Sequence, residues 1–159
     1  MDSKAEMYLN RAKTELETAE ILYTVSHNSK LKANFPISAG ATYYSGVISH
    51  GYYGVFYSAK AMLLTKNIDT KAPEVHRKTL DAFKTEFIDS GLLDAKLLVI
   101  YKQMMIRAET LLEIFKTEKK KRGDFTYNTI PQANSEPAEE SIKNAKEFIK
   151  HCNSYLINT

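Results

Sequence analysis

The chain has 159 residues, 43% hydrophobic and 26% charged, with a formal net charge of +3. That is the make-up of one soluble globular domain, able to bury a core without disulfides or a structural metal. It excludes a membrane span, because Lys60, His50 and serines interrupt the longest apolar runs, and a disulfide scaffold, because Cys152 is the single cysteine. The opening MDSKAEMYLNRAKTELE is charged throughout and lacks the apolar stretch of a signal peptide, so a reducing cytoplasm is the expected setting. A pI of about 8.8 permits an anionic partner without demanding one.

The first predicted helix starts near Ser3, where Ser3 and Glu6 have capping-box spacing. Ala5, Tyr8, Leu9, Ala12, Leu16, Ala19 and Tyr23 trace its apolar face as far as residue 27 or 28. Residues 29–40, with Pro36 and Gly40 and no period, read as a loop.

Residues 42–66 are predicted to be the central helix. Tyr44, Ile48, Gly51, Val55, Ala59 and Met62 form one row, and Tyr52, Phe56, Ala59 and Leu63 a second beside it. A helix apolar around so much of its circumference belongs inside. Gly46, His50, Gly54 and Ser58 form an i+4 row of small residues plus one imidazole. Glycine in a helix interior costs roughly 1 kcal/mol against alanine, and close approach of a neighbouring helix is the simplest compensation.

A third helix is expected from Pro73, with His76, Leu80, Phe83 and Phe87 inward and Asp89-Ser90-Gly91 as its stop. A fourth runs from about Leu92, its stripe being Leu93, Leu97, Ile100, Tyr101, Met104, Ala108, Leu111 and Phe115. At 1.5 Å per residue it would span roughly 45 Å to residue 121. It ends in Lys116-Thr117-Glu118-Lys119-Lys120-Lys121-Arg122, with Gly123 as the stop. Residues 123–137 read as a loop. A fifth helix opens near Ser135 with Glu136, Glu139 and Glu140 in its first turns. Ile142, Ala145, Phe148, Ile149, Cys152, Tyr155 and Leu156 make its face. The expected architecture is one all-α domain over 1–159, an antiparallel up-and-down bundle of about five helices.

No phosphate-binding glycine loop, CxxC or HExxH occurs. The histidines 27, 50, 76 and 151 are scattered, and the Glu147/His151 spacing is that of an ordinary helical ion pair, so no metal or cofactor is expected. Three features compete as candidate sites. Ser49, Tyr53 and Tyr57, four apart, read either as core packing with hydroxyls at the rim or as the lining of a groove or dimer interface. His50 reads either as a partly buried, hydrogen-bonded histidine or as a catalytic base. Lys119, Lys120, Lys121 and Arg122 read either as a solvated helix cap or, leading into Asp124-Phe125-Thr126-Tyr127, as cations and aromatics that hold phosphates and stack bases.

In their order, four segments resemble the HEPN domain family, especially its small stand-alone prokaryotic group. They are SHGYYGVFYSAKAMLLTKN, PEVHRKTLDAF with His76, KKRGDFTY at the end of the long helix, and EPAEESIKNAKEFI. The resemblance implies a four-helix core, a homodimer, binding of RNA or a nucleotide, and pairing with a minimal nucleotidyltransferase in a toxin–antitoxin-like module. Its alternatives are a metal-independent endoribonuclease and a non-enzymatic helical adaptor. Active family ribonucleases carry Arg-x4-6-His at this helix end. Here Arg122 is followed by Tyr127 where the histidine would stand, and Asp124-Phe125 matches the Asp-Tyr of the stand-alone group, which would make Lys120 the counterpart of the family arginine. The resemblance thus implies Arg122, Asp124 and Tyr127 as candidate catalytic residues. Lys119, Lys120, Lys121, Arg122, Tyr53 and Tyr57 are the candidate nucleic-acid or nucleotide contacts.

Overall fold

A computed structural model describes residues 1–121 and 134–159, with backbone alone for 115 and 117–121. Among these residues there are six α-helices and no strand. They are α1 (Ser3–His27), α2 (Ser29–Lys32), α3 (Tyr44–Leu64), α4 (Val75–Phe83), α5 (Lys96–Lys121) and α6 (Ser135–Asn158); a π-helical turn, Lys84–Asp89, extends α4. The all-α antiparallel bundle expected from the sequence is the one observed.

Local signals explain the boundaries, including those that differ from expectation. Asp2, not Ser3, caps α1: its side chain accepts from the Lys4 N–H at 3.2 Å. Asn28 accepts from the Leu31 N–H at 3.0 Å, and this cap opens the short helix α2 inside the stretch expected to be loop. The third long helix begins at Val75, after Glu74 at φ +54°, two residues beyond Pro73. Gly91 takes φ +78°, the left-handed stop its sequence position predicts. α5 begins four residues later than Leu92, because Asp94 supplies the cap: its carboxylate accepts from the Lys96 N–H at 2.8 Å and its carbonyl from the Leu97 N–H.

The central helix, α3, is buried along nearly its whole length, and α1, α5 and α6 pack around it. Its Tyr52, Val55, Phe56, Ala59, Met62 and Leu63 join Phe83, Phe87, Leu97, Tyr101, Met104, Phe148 and Cys152 in the main core. Toward the other end, Val47 and Ile48 meet Ala19, Leu111 and Ala138 in a smaller cluster.

The small-residue row faces α1. A Cβ on Gly46 would lie 2.9 Å from Leu22 Cδ1, and one on Gly54 would lie 3.3 Å from Ile149 Cδ1 and 3.4 Å from the Ala12 carbonyl oxygen. Side-chain volume is therefore sacrificed where two helices close on α3, which offsets the propensity cost of the glycines. His50 belongs to the same row. Its Nδ1 is 2.5 Å from Oε2 of Glu15 on α1, and Arg11 holds Oε1 of that carboxylate at 2.6 Å. Glu15 is 4% exposed, so the Arg11 ion pair and the His50 hydrogen bond together supply the partners that a buried carboxylate requires.

Candidate functional site

A cleft of about 290 Å³ opens between α3, the start of α4 and the middle of α5. Ser49, Tyr52, Tyr53, His76, Ala108, Glu109 and Leu112 line it. Each is placed by an element already described. Ser49 and Tyr53 are one turn apart on the rim of α3, with Tyr52 beneath them in the core. His76 sits in the first turn of α4. Ala108, Glu109 and Leu112 come from consecutive turns of α5.

Tyr52 and His76 form its floor. The Tyr52 hydroxyl and His76 Nδ1 share a hydrogen bond of 2.7 Å. Burial pushes the Tyr52 phenol far above its ordinary value, with the Glu109 carboxylate adding to the shift. Burial also pulls His76 down, although Glu109 opposes that shift. At neutral pH the pair is therefore a protonated phenol and a neutral imidazole. The imidazole stacks on Phe56 at 4.3 Å between centroids, and Tyr53 meets it edge-on at 6.0 Å. Tyr53 is 39% exposed, so a ring face is available to a ligand. Glu109 is the one charged side chain in the lining, and it is exposed. The arrangement can stack a planar ring and exchange hydrogen bonds with it. As it stands in a single chain, the Glu109 carboxylate opposes an anion at the rim.

The other sequence candidates separate. Tyr57 lies one turn beyond Tyr53 but packs on α1, stacked with Tyr8 at 5.9 Å and with Arg11 5.6 Å from its ring centre. Lys119, Lys120 and Lys121 fall on the last turn of α5, where the backbone alone is described; Arg122, Asp124 and Tyr127 lie outside the described residues. Glu147 does not serve His151 alone: Lys96 Nζ holds it at 3.0 Å and keeps its carboxyl below the usual range, while His151 is 4.0 Å away. Among the described residues no three His, Cys, Asp or Glu side chains are grouped to hold a metal. His27, passed over in the sequence, bridges helix ends: Nδ1 is 2.6 Å from the Tyr44 hydroxyl, and Nε2 is near Tyr23 and Ser135 hydroxyls. Glu109 and Leu112 were passed over as well. Both fall on the polar side of the α5 stripe, and no local signal shows that α4 places His76 opposite them.

An all-helical bundle wrapped on a tyrosine-rich central helix, with a histidine opening the next helix, defines a class, and comparison with known proteins places the chain in it. A family model for the HEPN domain matches residues 32–155. The chain belongs to the HEPN domain family. "Putative toxin MJ0142" of Methanocaldococcus jannaschii is 28% identical over 153 residues, covering 96% of this chain and 82% of that protein. "Putative toxin MJ0605" of the same organism is 27% identical over 106 residues, covering 67% and 66%. "UPF0332 protein PH1297" of Pyrococcus horikoshii is 29% identical over 126 residues, covering 70% and 75%. No solved structure gives a significant match.

Proposed function

We propose that this HEPN protein is the toxin-type half of a two-protein module. It is a homodimer that binds RNA or a nucleotide and pairs with a minimal nucleotidyltransferase. The observation that carries the reading is the cleft: a half-exposed tyrosine ring beside a neutral, hydrogen-bonded histidine, on the flank of the helix whose last described residues are Lys119-Lys120-Lys121, with Arg122 next in the sequence. Aromatic faces take bases irrespective of sequence, and a lysine and arginine run takes phosphates. The names of two relatives as toxins support the module.

The test is binding of labelled single-stranded RNA across a salt series, with chelator present. Affinity should fall steeply with salt, and should fall about tenfold or more when residues 119–122 are all changed to glutamine. Tyr53→Ala should weaken binding further while leaving the salt slope unchanged. Absence of binding at low salt would favour the helical adaptor. Cleavage by the wild type that Arg122→Ala abolishes would replace a binding subunit with a ribonuclease. Co-expression with a minimal nucleotidyltransferase should yield a stable complex.

A further inference from the structure

The cleft between α3, α4 and α5 holds two hydrogen-bonding groups that the fold leaves unused. Glu109 is the first. It is exposed on α5, and among the described residues it makes no ion pair and accepts no hydrogen bond. An ionised carboxylate is an acceptor only, with two oxygens side by side. Its charge reaches both Tyr52 and His76 on the floor.

The second is the imidazole of His76. The Tyr52 hydroxyl is buried, and its one partner among the described residues is His76 Nδ1, at 2.7 Å. A buried hydroxyl that donates to nothing is costly, so the phenol donates and Nδ1 accepts. The single proton of the neutral ring is then on Nε2, which has no acceptor of its own among the described residues. The cleft thus offers an acceptor pair on α5 and an N–H donor on α4, with the half-exposed Tyr53 ring beside them.

Few planar rings fit that set. Guanine carries two adjacent donors, N1–H and the N2 amino group, which match both oxygens of one carboxylate. Beside them stands O6, an acceptor for an N–H. Each other base turns an acceptor toward the carboxylate: adenine its N1, cytosine its N3, uracil a carbonyl on either side of N3–H. The guanidinium of an arginine side chain has the same donor pair, but it has no acceptor and would leave the His76 N–H unmet. A volume of about 290 Å³, near the lower bound of roughly 300 Å³ for ligand sites, suits one base rather than a larger ligand.

We propose that the cleft selects guanine: Glu109 holds N1–H and the N2 amino group, His76 Nε2–H meets O6, and Tyr53 covers a face of the ring. The inference rests on the RNA or nucleotide binding proposed above and names the base. The edge that Glu109 takes is the one guanine uses in base pairing, so the guanine comes from a single-stranded segment. Its sugar and phosphate point away from Glu109, because the carboxylate repels the phosphate. Stacking on Tyr53 is blind to sequence, and the two edge contacts supply the selection.

Binding of the full chain to short labelled uridine oligomers that carry one variable central base tests this. The oligomer with guanine should bind about tenfold or more tightly than those with adenine, cytosine or uracil, as a bidentate base contact does. Inosine, which lacks the N2 amino group, should fall between. Pairing the guanine with a cytosine strand should abolish the advantage. Glu109→Gln turns one acceptor into a donor and should lower the guanine oligomer to the level of the adenine one. The position is exposed, and circular dichroism verifies that the fold is kept. Glu17→Gln on α1, outside the cleft, should keep the preference. Equal binding of all four bases, or a preference that Glu109→Gln leaves untouched, overturns this inference while RNA binding stands. A wild type that binds none of the oligomers at low salt overturns both this inference and the function proposed above. Displacement of the guanine oligomer by an arginine amide but not by guanosine gives the cleft to an arginine of a protein partner, and overturns it as well.

Discussion

The Tyr52 hydroxyl lies 2.7 Å from His76 Nδ1, and this hydrogen bond joins the central helix to α4 beneath the cleft. Neither group has a counter-charge in contact, so the bond is one between neutral partners in a half-dry site. Its disruption should be felt both in stability and at the cleft.

The pH dependence follows from His76. Burial lowers its pKa from the ordinary 6.5, so the unfolded chain binds a proton more readily than the folded one. The stabilising contribution is complete above about pH 6.5 and is lost as pH falls from there toward the lower folded-state value. Thermal unfolding followed between pH 7.5 and 5.5 should show a falling Tm in wild type. His76→Gln should flatten that part of the curve. Asp69 and Glu147, both held low by lysines, act only at more acidic pH.

Tyr52→Phe keeps the ring in the core and removes the hydroxyl. It should cost about 1–2 kcal/mol in denaturant melts by leaving His76 Nδ1 short of its partner. RNA affinity should fall less than in Tyr53→Ala, because Tyr52 lies beneath the surface that a base would meet.

At Gly54 an added Cβ would lie 3.3 Å from Ile149 Cδ1 and 3.4 Å from the Ala12 carbonyl oxygen, so a methyl already presses on its neighbours and the branched side chain of valine overfills the space. Gly54→Val should lower stability by about 2–3 kcal/mol, as overpacking does in a closed interface. Gly40→Ala, where nothing lies within 4 Å of the new methyl, should leave the melt nearly unchanged.

His50→Ala separates structure from chemistry. With His50 gone, the buried Glu15 keeps only Arg11, so stability should drop by about 1–3 kcal/mol. RNA binding of the folded variant should match wild type. A selective loss of binding or cleavage without loss of stability would instead make His50 a functional base.

Cys152 is fully buried, and burial pushes its thiol pKa far upward. The native protein should therefore resist thiol reagents at pH 8 and react with one equivalent after denaturation. Rapid labelling of the native fold would reveal an opening of α6 away from the core.

The tyrosines of α3 mark how far the sequence reads. Its apolar rows placed Tyr52, Val55, Phe56 and Met62 in the core, and its glycine row announced a close helix contact, because burial on a helix follows the 3.6-residue period and small residues mark close approach. The helix starts were legible only to within a few residues. Ser3 and Asp2, or Leu92 and Asp94, offer competing caps, and packing chooses between them. What distinguishes Tyr53, at the cleft, from Tyr57, on α1, is not local: the two are one turn apart on the same helix, and their surroundings are supplied by α4, α5 and α1. The same holds for Glu109, an unremarkable surface acid until His76 is brought opposite it.

The sequence by itself therefore determined the class of fold, the identity of the central helix and the family. All three rest on periodicity, caps and ordered segments that the chain carries locally. The cleft, the pairing of Tyr52 with His76, and the burial of Glu15 under His50 and Arg11 were decided only by the tertiary structure. Each depends on side chains from helices distant in sequence meeting across the bundle, and on which face of a helix the packing leaves exposed.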